Sequence, residues 1–307
     1  MSLGLGALAH VVVDVLSGPG QSEGREYLGG AGMYAALGLR MSSHQRVIVS
    51  SGVGADFADA HADFCARWSL DLVGLEVRSE LTPRTIISYL PDGNRRESSA
   101  LGDEHFASMA PRVSNLVDSG VHFSGLYVFR ESTAPGWFDL SSLRGATGCA
   151  VLWELSALDR GPGGWRRIKN LLSGVDIVSL NVDEGEALLG SRNPAVIGGR
   201  LLGHGARVVV LRAGSSGSYV ADSSGLLHIT PAPVSILVDP TGAGNAFSGA
   251  FLGAWIASGS IEHAGRTASA AASFIMEQFG PPPAPSDARQ FASRVAASRV
   301  ERLELGA

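Results

Sequence analysis

The stretch DPTGAGNAFSGAF, residues 239–251, decides how the rest of the chain is read. A glycine turn runs directly into small residues of helical character, and the preceding VSILVD (234–239) reads as strand-like. In that setting the backbone N–H groups of Gly242, Ala243 and Gly244 converge at a helix N-terminus, where unpaired donors and the helix dipole both favour an anion. The competing reading is an ordinary glycine turn with Asn245 in the first turn of the helix. On either reading the local unit is strand, tight turn, helix, which is the unit of an α/β fold.

The same unit recurs outward along the 307 residues. Runs rich in Val, Ile and Leu at 46–51, 70–77, 121–129, 149–155, 175–180 and 207–212 alternate with helix-compatible segments such as 58–68 and 183–189. Their apolarity is continuous rather than alternating, so both faces of each strand are expected to be covered. That predicts a three-layer αβα sandwich around a mainly parallel sheet. Residues 10–29 and 82–100 break the alternation and read as strand–turn–strand, the second with its turn at Asp92-Gly93. They are expected to form a small sheet, a lid over the carboxyl ends of the parallel strands. The PPPAP run at 281–285 leads into a last helix expected at about 286–303, and too little chain follows for a second domain, so residues 1–307 read as one.

Composition narrows the partners. The net charge is −5, and Arg95-Arg96 and Arg166-Arg167 with Lys169 are isolated basic groups, which argues against nucleic acid. MSLGLGALAHVVVDVL lacks a basic leader and carries His10 and Asp14 within its apolar run, so it reads as a first strand and not as a signal peptide. The longest apolar helical segment, about 246–258, is shorter than the roughly 20 residues of a membrane span. Cys65 and Cys149 lie far apart in apolar surroundings, as reduced core thiols do, and the histidines show no metal-ligand spacing. The expectation is a cytoplasmic protein with no membrane partner.

Other glycine patterns carry less. Gly4-x-Gly6-x-x-Ala9 has no room for a leading strand, no P-loop lysine motif is present, and no nucleophile elbow surrounds Ser248. Asn181-x-x-Glu184, at the end of VDIVSL, reads on its own as a helix cap.

Taken in order, Gly29-Gly30-Ala31-Gly32, Gly52-Val53-Gly54-Ala55-Asp56, Asn181-Val182-Asp183-Glu184, Leu211 to Gly217 and Asp239 to Phe247 resemble the motifs of the PfkB, or ribokinase-like, superfamily of kinases. GGAGMYAALGLRM, VLWELS and AASFIMEQFGPP are most similar to a branch that includes fungal killer-maintenance proteins. The resemblance implies ATP across the carboxyl edge of the sheet and a small-molecule acceptor under the lid: a sugar, a nucleoside or a phosphorylated metabolite. It implies an anion hole at Gly242, Ala243 and Gly244, with Arg212, Gly214 and Gly217 bordering the nucleotide. Asn181 and Glu184 would position Mg²⁺ through water, and Asp239 and Thr241 would lie near a monovalent cation such as K⁺. Asp14, Gly29, Gly30 and Tyr34 fall on the acceptor side; relatives often pair through the lid, so a homodimer through it is one expectation and an intramolecular cover the other.

Two departures bear on the chemistry. Ala31 and Tyr34 replace the lysine and asparagine common in sugar kinases, which argues against ribose and for a more apolar or aromatic acceptor. Asn245 stands where the resemblance places a catalytic aspartate, and an amide cannot take a proton. Three expectations follow: slow transfer to an alcohol, transfer to an acceptor already ionised, or a silent pseudokinase that binds nucleotide or metabolite as a regulatory protein.

Overall fold

Val, Ile and Leu dominate the strands, and neighbouring residues in each strand enter different cores, as both-face burial requires. Val208 and Val210 pack into one apolar cluster, Val209 and Leu211 into the other. The computed structural model describes residues 3–17, 24–89, 95–156, 159 and 163–304. In chain order they form β1 (Leu3–Leu8), β2 (Val12–Ser17), β3 (Arg25–Gly29), α1 (Gly30–Ser42), β4 (Arg46–Gly54), α2 (Asp56–Arg67), β5 (Leu70–Asp71) and β6 (Leu75–Ser79). There follow β7 (Arg84–Tyr89), β8 (Arg95–Ser99), α3 (Asp103–Ser108), α4 (Val113–Asp118), β9 (His122–Phe129), α5 (Trp137–Thr147), β10 (Ala150–Glu154) and α6 (Gly164–Ile168). The remainder is β11 (Ile177–Asn181), α7 (Val182–Leu189), α8 (Pro194–Leu202), β12 (Val208–Arg212), β13 (Ser218–Asp222), β14 (Gly225–Ile229), α9 (Ala243–Ser258), α10 (Ile261–Ile275), α11 (Ala288–Ala297) and β15 (Val300–Leu303).

The large sheet runs β15-β14-β13-β12-β11-β10-β9-β1-β4-β5, with β6 also on β4. It is parallel from β12 to β5 and antiparallel from β12 to β15. Helices cover both faces, α1, α9 and α10 on one and α5, α7 and α8 on the other, giving the sandwich expected from the sequence. Strand order reverses at β1, which lies between β4 and β9, and such a switch point opens a crevice at the carboxyl ends of the strands.

A second, four-stranded sheet, β3-β2-β7-β8, uses the two stretches read as lid. Its central β2–β7 pair is parallel and its flanking pairs antiparallel. The turn expected at Asp92-Gly93 lies outside the described residues. The sheet is fastened at its base: Val13 N donates to Pro83 O at 2.8 Å, and the Asp56 carboxylate accepts from Thr82 N and Oγ1 at 2.7 and 2.6 Å.

Three sequence readings change. Residues 234–239 are not a strand: Val238 N and Asp239 N both donate to Met276 O, so no ladder forms, and Ile236 and Leu237 stay exposed. The segment 70–77 is split by a 3₁₀ turn at Leu72–Gly74. The last helix ends at Ala297, beyond which Val300–Leu303 pairs with β14 as the edge strand.

The packing that most directly shapes the crevice is that of α1 on α9. A Cβ on Gly38 would lie 2.1 Å from Ala246 O, one on Gly249 2.1 Å from Ala35 O and one on Gly253 2.2 Å from Ser42 Oγ. Tyr34 meets Gly242, Gly38 meets Ala246 and Ser42 meets Gly253, so the helices run parallel and both N-termini open on the same place. Gly38→Ala is expected to destabilise the protein by about 1–3 kcal/mol through forced separation of the two backbones. A urea midpoint unchanged from that of the parent would refute this packing.

Candidate active site

The crevice is a cleft of about 2050 Å³ between the small sheet and the carboxyl ends of the parallel strands. At its centre the turn Thr241-Gly242 feeds α9. Gly242 has φ +77°, and a Cβ there would meet the Tyr34 ring at 2.2 Å, so the position needs glycine for backbone and for space. Ala243, Gly244 and Asn245 follow as the first residues of the helix and line the cleft with Gly242. The first-turn N–H groups of a helix have no partner within it.

Asn245 is held by groups that arrive from two other strands. Its Nδ2 donates to Tyr127 Oη at 3.1 Å and to Glu154 Oε1 at 3.2 Å. Tyr127 Oη donates to Glu154 Oε2 at 2.9 Å, and Arg212 Nη1 donates to Glu154 Oε1 at 2.5 Å. Both Tyr127 and Glu154 are buried. Burial, reinforced by the adjacent Glu154 carboxylate, pushes the Tyr127 phenol well above its ordinary range. Burial alone would lower the Arg212 pKa, but Glu154 and then Glu184 outweigh it and the guanidinium is raised.

Asn181 and Glu184 close a reciprocal cap at the start of α7: Asn181 Oδ1 accepts from Glu184 N at 2.8 Å and Glu184 Oε2 from Asn181 N at 2.7 Å. Glu184 also lies 3.6 Å from Arg212 Nη2. A carboxylate so engaged suits a metal held through water better than one bound directly, and no group of three or more His, Cys, Asp or Glu among the described residues forms a direct metal site. Asp239 is buried, with Oδ1 accepting from Thr241 N at 2.9 Å and Oδ2 lacking any partner. An orphaned buried carboxylate oxygen fits a cation.

The structure brings to the cleft Asp14, Gly30, Tyr34, Asn181, Glu184, Arg212, Gly214, Gly217, Thr241 and the glycine turn. Asp239 and Gly29 lie just behind its wall. Asp14 reaches the cleft from β2, with Oδ2 only 1.9 Å from where a Cβ on Gly29 would stand. Sequence reading passed over Tyr127, Glu154, Arg130, Arg78 and His10. The available signal was a lone charged residue at or just past the end of an apolar strand, in VLWE and LYVFR.

His10, just past β1, stacks on Phe106 with ring centroids 4.2 Å apart and hydrogen-bonds Phe106 O at 3.2 Å. Burial first, and the neighbouring Arg130 and Arg78, push its pKa down from 6.5 to about 4. Its folded pKa being depressed, the stability it contributes is complete above about 6.5 and is lost as pH falls through about 4. His10→Asn is expected to flatten the pH dependence of the denaturation midpoint in that window; an unchanged slope would count against a neutral His10.

Residues 16–289 match the pfkB family carbohydrate kinase domain. The chain is 26% identical over 286 residues to the cytidine kinase of Thermococcus kodakarensis, covering 91% of this chain and 98% of that one. Among solved structures it is similar to the nucleoside kinase of Methanocaldococcus jannaschii, an archaeal member of the ribokinase family, with a TM-score of 0.75, 20% identity and coverage of 96% and 99%. It is also similar to Arabidopsis thaliana ribokinase complexed with ribose and ATP, with a TM-score of 0.74, 19% identity and coverage of 96% and 99%. Among the described residues no helix is long and apolar enough to cross a membrane.

Proposed function

This chain belongs to the pfkB family of carbohydrate kinases, and from that premise we propose that it transfers the γ-phosphoryl group of ATP to a small sugar-like or nucleoside-like acceptor, with Glu154 in place of an aspartate at position 245. The contact that carries this reading is Asn245 Nδ2 on Glu154 Oε1 at 3.2 Å, immediately beside the glycine turn. It supplies a carboxylate within about one hydrogen bond of where the missing one would stand.

In this reading the donor phosphates lie over Gly242, Ala243 and Gly244, whose N–H groups stabilise charge on the group in flight. Arg212, Gly214 and Gly217 border the nucleotide, and Asp14, Gly29, Gly30 and Tyr34 line the acceptor side. Asn181 and Glu184 would hold hydrated magnesium, which when bound supplies charge neutralisation on the phosphates. Asp239 and Thr241 would serve a monovalent cation.

In this reading the acceptor hydroxyl donates to Glu154, which lines the cleft, and the amide of Asn245, its nitrogen on Tyr127 and Glu154, holds that carboxylate in place. The hydroxyl oxygen bonds to the γ-phosphorus as the bond to the bridging oxygen breaks. The electron pair leaves with ADP, and the hydroxyl proton passes to Glu154. Because phosphoryl transfer passes through a loose transition state, little charge has built up on the acceptor oxygen when the bond to phosphorus forms, and the proton moves late.

The test is ADP release from Mg-ATP with nucleosides, including cytidine and adenosine, with free sugars and with their phosphates. Acceptor-dependent ADP is expected. ATP that raises the melting temperature with no acceptor turned over would favour a silent binding protein, and no thermal response to ATP would sink both readings.

A further inference from the structure

One end of the cleft buries a guanidinium group that no carboxylate touches. Arg130, one residue past β9, is buried, yet its guanidinium is held by backbone carbonyls alone: Nη2 donates to Pro111 O at 2.8 Å and Nη1 to Pro135 O. Among the described residues no carboxylate lies within ion-pair distance of it, and Asp139 on α5 acts on it only from farther away. Arg78, on β6, is likewise nine-tenths buried; it donates to Ala110 O at 2.7 Å and pairs with Glu76 at 2.6 Å. Its Nε is buried without a hydrogen-bond partner. Arg112 shares that same Glu76 at 3.1 Å. Arg78 and Arg112 thus share one carboxylate, and Arg130 has none in contact, although Asp118, Glu131 and Asp139 also line the cleft. Burying a cation whose only neighbours are neutral carbonyls is costly, so its persistence in a ligand cleft needs an explanation that packing does not give.

The location supplies one. Arg78, Arg130 and His10 all line the cleft, and His10 feels both charges. Phe129, the residue before Arg130, is the register partner of Glu154, so Arg130 follows the strand next to the one that carries the carboxylate on Asn245. Arg130, Arg78, Glu154 and the glycine turn all line one cleft, which a single small molecule can occupy.

We propose that the acceptor is an anion whose phosphate or carboxylate group is held between Arg130 and Arg78, beside His10, while its reacting oxygen faces Gly242 to Gly244. The inference rests on the phosphotransfer reading and narrows its substrate class. Two charge-assisted donors on one oxyanion give orientation as well as affinity, because a guanidinium presents parallel N–H groups to an oxyanion. The orphaned Nε of Arg78 gains its partner from the ligand.

Matched acceptors test it on the full-length chain: ribose against ribose 5-phosphate, cytidine against cytidine 5′-monophosphate, and glucose against gluconate. With saturating Mg-ATP, kcat/KM is expected to favour a charged member over its neutral counterpart at least tenfold, the phosphate and carboxylate pairs separating the two chemistries. Arg130→Gln is expected to bring that ratio toward one. A second readout does not depend on turnover: with Mg-ADP saturating the nucleotide end, the preferred charged compound raises the melting temperature of the parent and fails to do so for Arg78→Gln. Arg78→Gln also serves if Arg130→Gln does not fold. Neutral acceptors used as well as charged ones, or a preference that survives both substitutions, would overturn the proposal and leave the kinase reading intact. Charged compounds that raise the melting temperature through Arg78 and Arg130 while no acceptor yields ADP would support the anion site and count against the kinase reading instead.

Discussion

Glu154→Gln is expected to lower turnover by about 100- to 10,000-fold, the range a positioned general base contributes, while the protein still responds thermally to Mg-ATP. The glutamine keeps the shape, and its single carbonyl oxygen can still accept from Tyr127 or from Asn245, but it cannot receive the proton. It also leaves Arg212 with Glu184 alone, at 3.6 Å, as its counter-charge. Breaking a buried pair by removing one partner costs about 3–5 kcal/mol, so a fall in the urea midpoint should accompany the loss. A structural role alone would give the second effect without the first. Turnover by Glu154→Gln within tenfold of the parent's would exclude Glu154 as the base. Asn245→Asp sharpens the point. It sets a second carboxylate about 3.2 Å from Glu154, and like charges so close force one to hold its proton. The folded pKa of that pair then lies above the unfolded value. Stability is therefore complete at low pH and falls as pH rises through the raised value, the opposite of an ordinary salt-bridged aspartate. A variant as stable at pH 8 as at pH 5 would contradict the network seen around Asn245.

Gly242→Ala is the second change with a large expected effect. The position has φ +77° and the Tyr34 ring 2.2 Å from the added carbon, so neither backbone nor neighbour accommodates it. The left-handed conformation costs about 1–2 kcal/mol for a residue with a Cβ, and the clash adds to it. The turn must shift, and with it the N–H groups proposed to face the transferring phosphate; loss of one such donor lowers kcat by about 100- to 1,000-fold. Tyr34→Ala in the same chain relieves the clash but not the backbone strain. The double variant should recover part of the urea midpoint and little of the turnover. Full recovery of both would mean that the turn has no specific geometry to lose.

The parallel core was legible because both-face burial leaves continuous apolar runs. The glycine turn and the Asn181–Glu184 cap were legible because each is local: a positive φ demands glycine, and a cap is made three residues apart. The edge hairpin β13–β14 was not, since SYVAD and GLLHI are short and mix polar with apolar residues. VSILVD misled for the converse reason. Its β-branched residues suit a strand, yet its amides are claimed by Met276 and its apolar side chains face outward. The network under Asn245 was illegible in a stronger sense. Tyr127, Glu154, Arg212 and Asn245 lie on β9, β10, β12 and α9, and only the register of the folded sheet makes them neighbours. Arg130 and Arg78 meet for the same reason, through the carbonyls of one intervening loop, Ser108–Pro111.

The ring of Tyr34 lies against Gly242 while forming part of the cleft wall, on the side proposed to hold the acceptor. One residue therefore answers to two selective demands. A descendant that changed position 34 to admit a new acceptor would at once reset the turn proposed to cradle phosphate, so drift in specificity along that wall would be coupled to catalytic fitness.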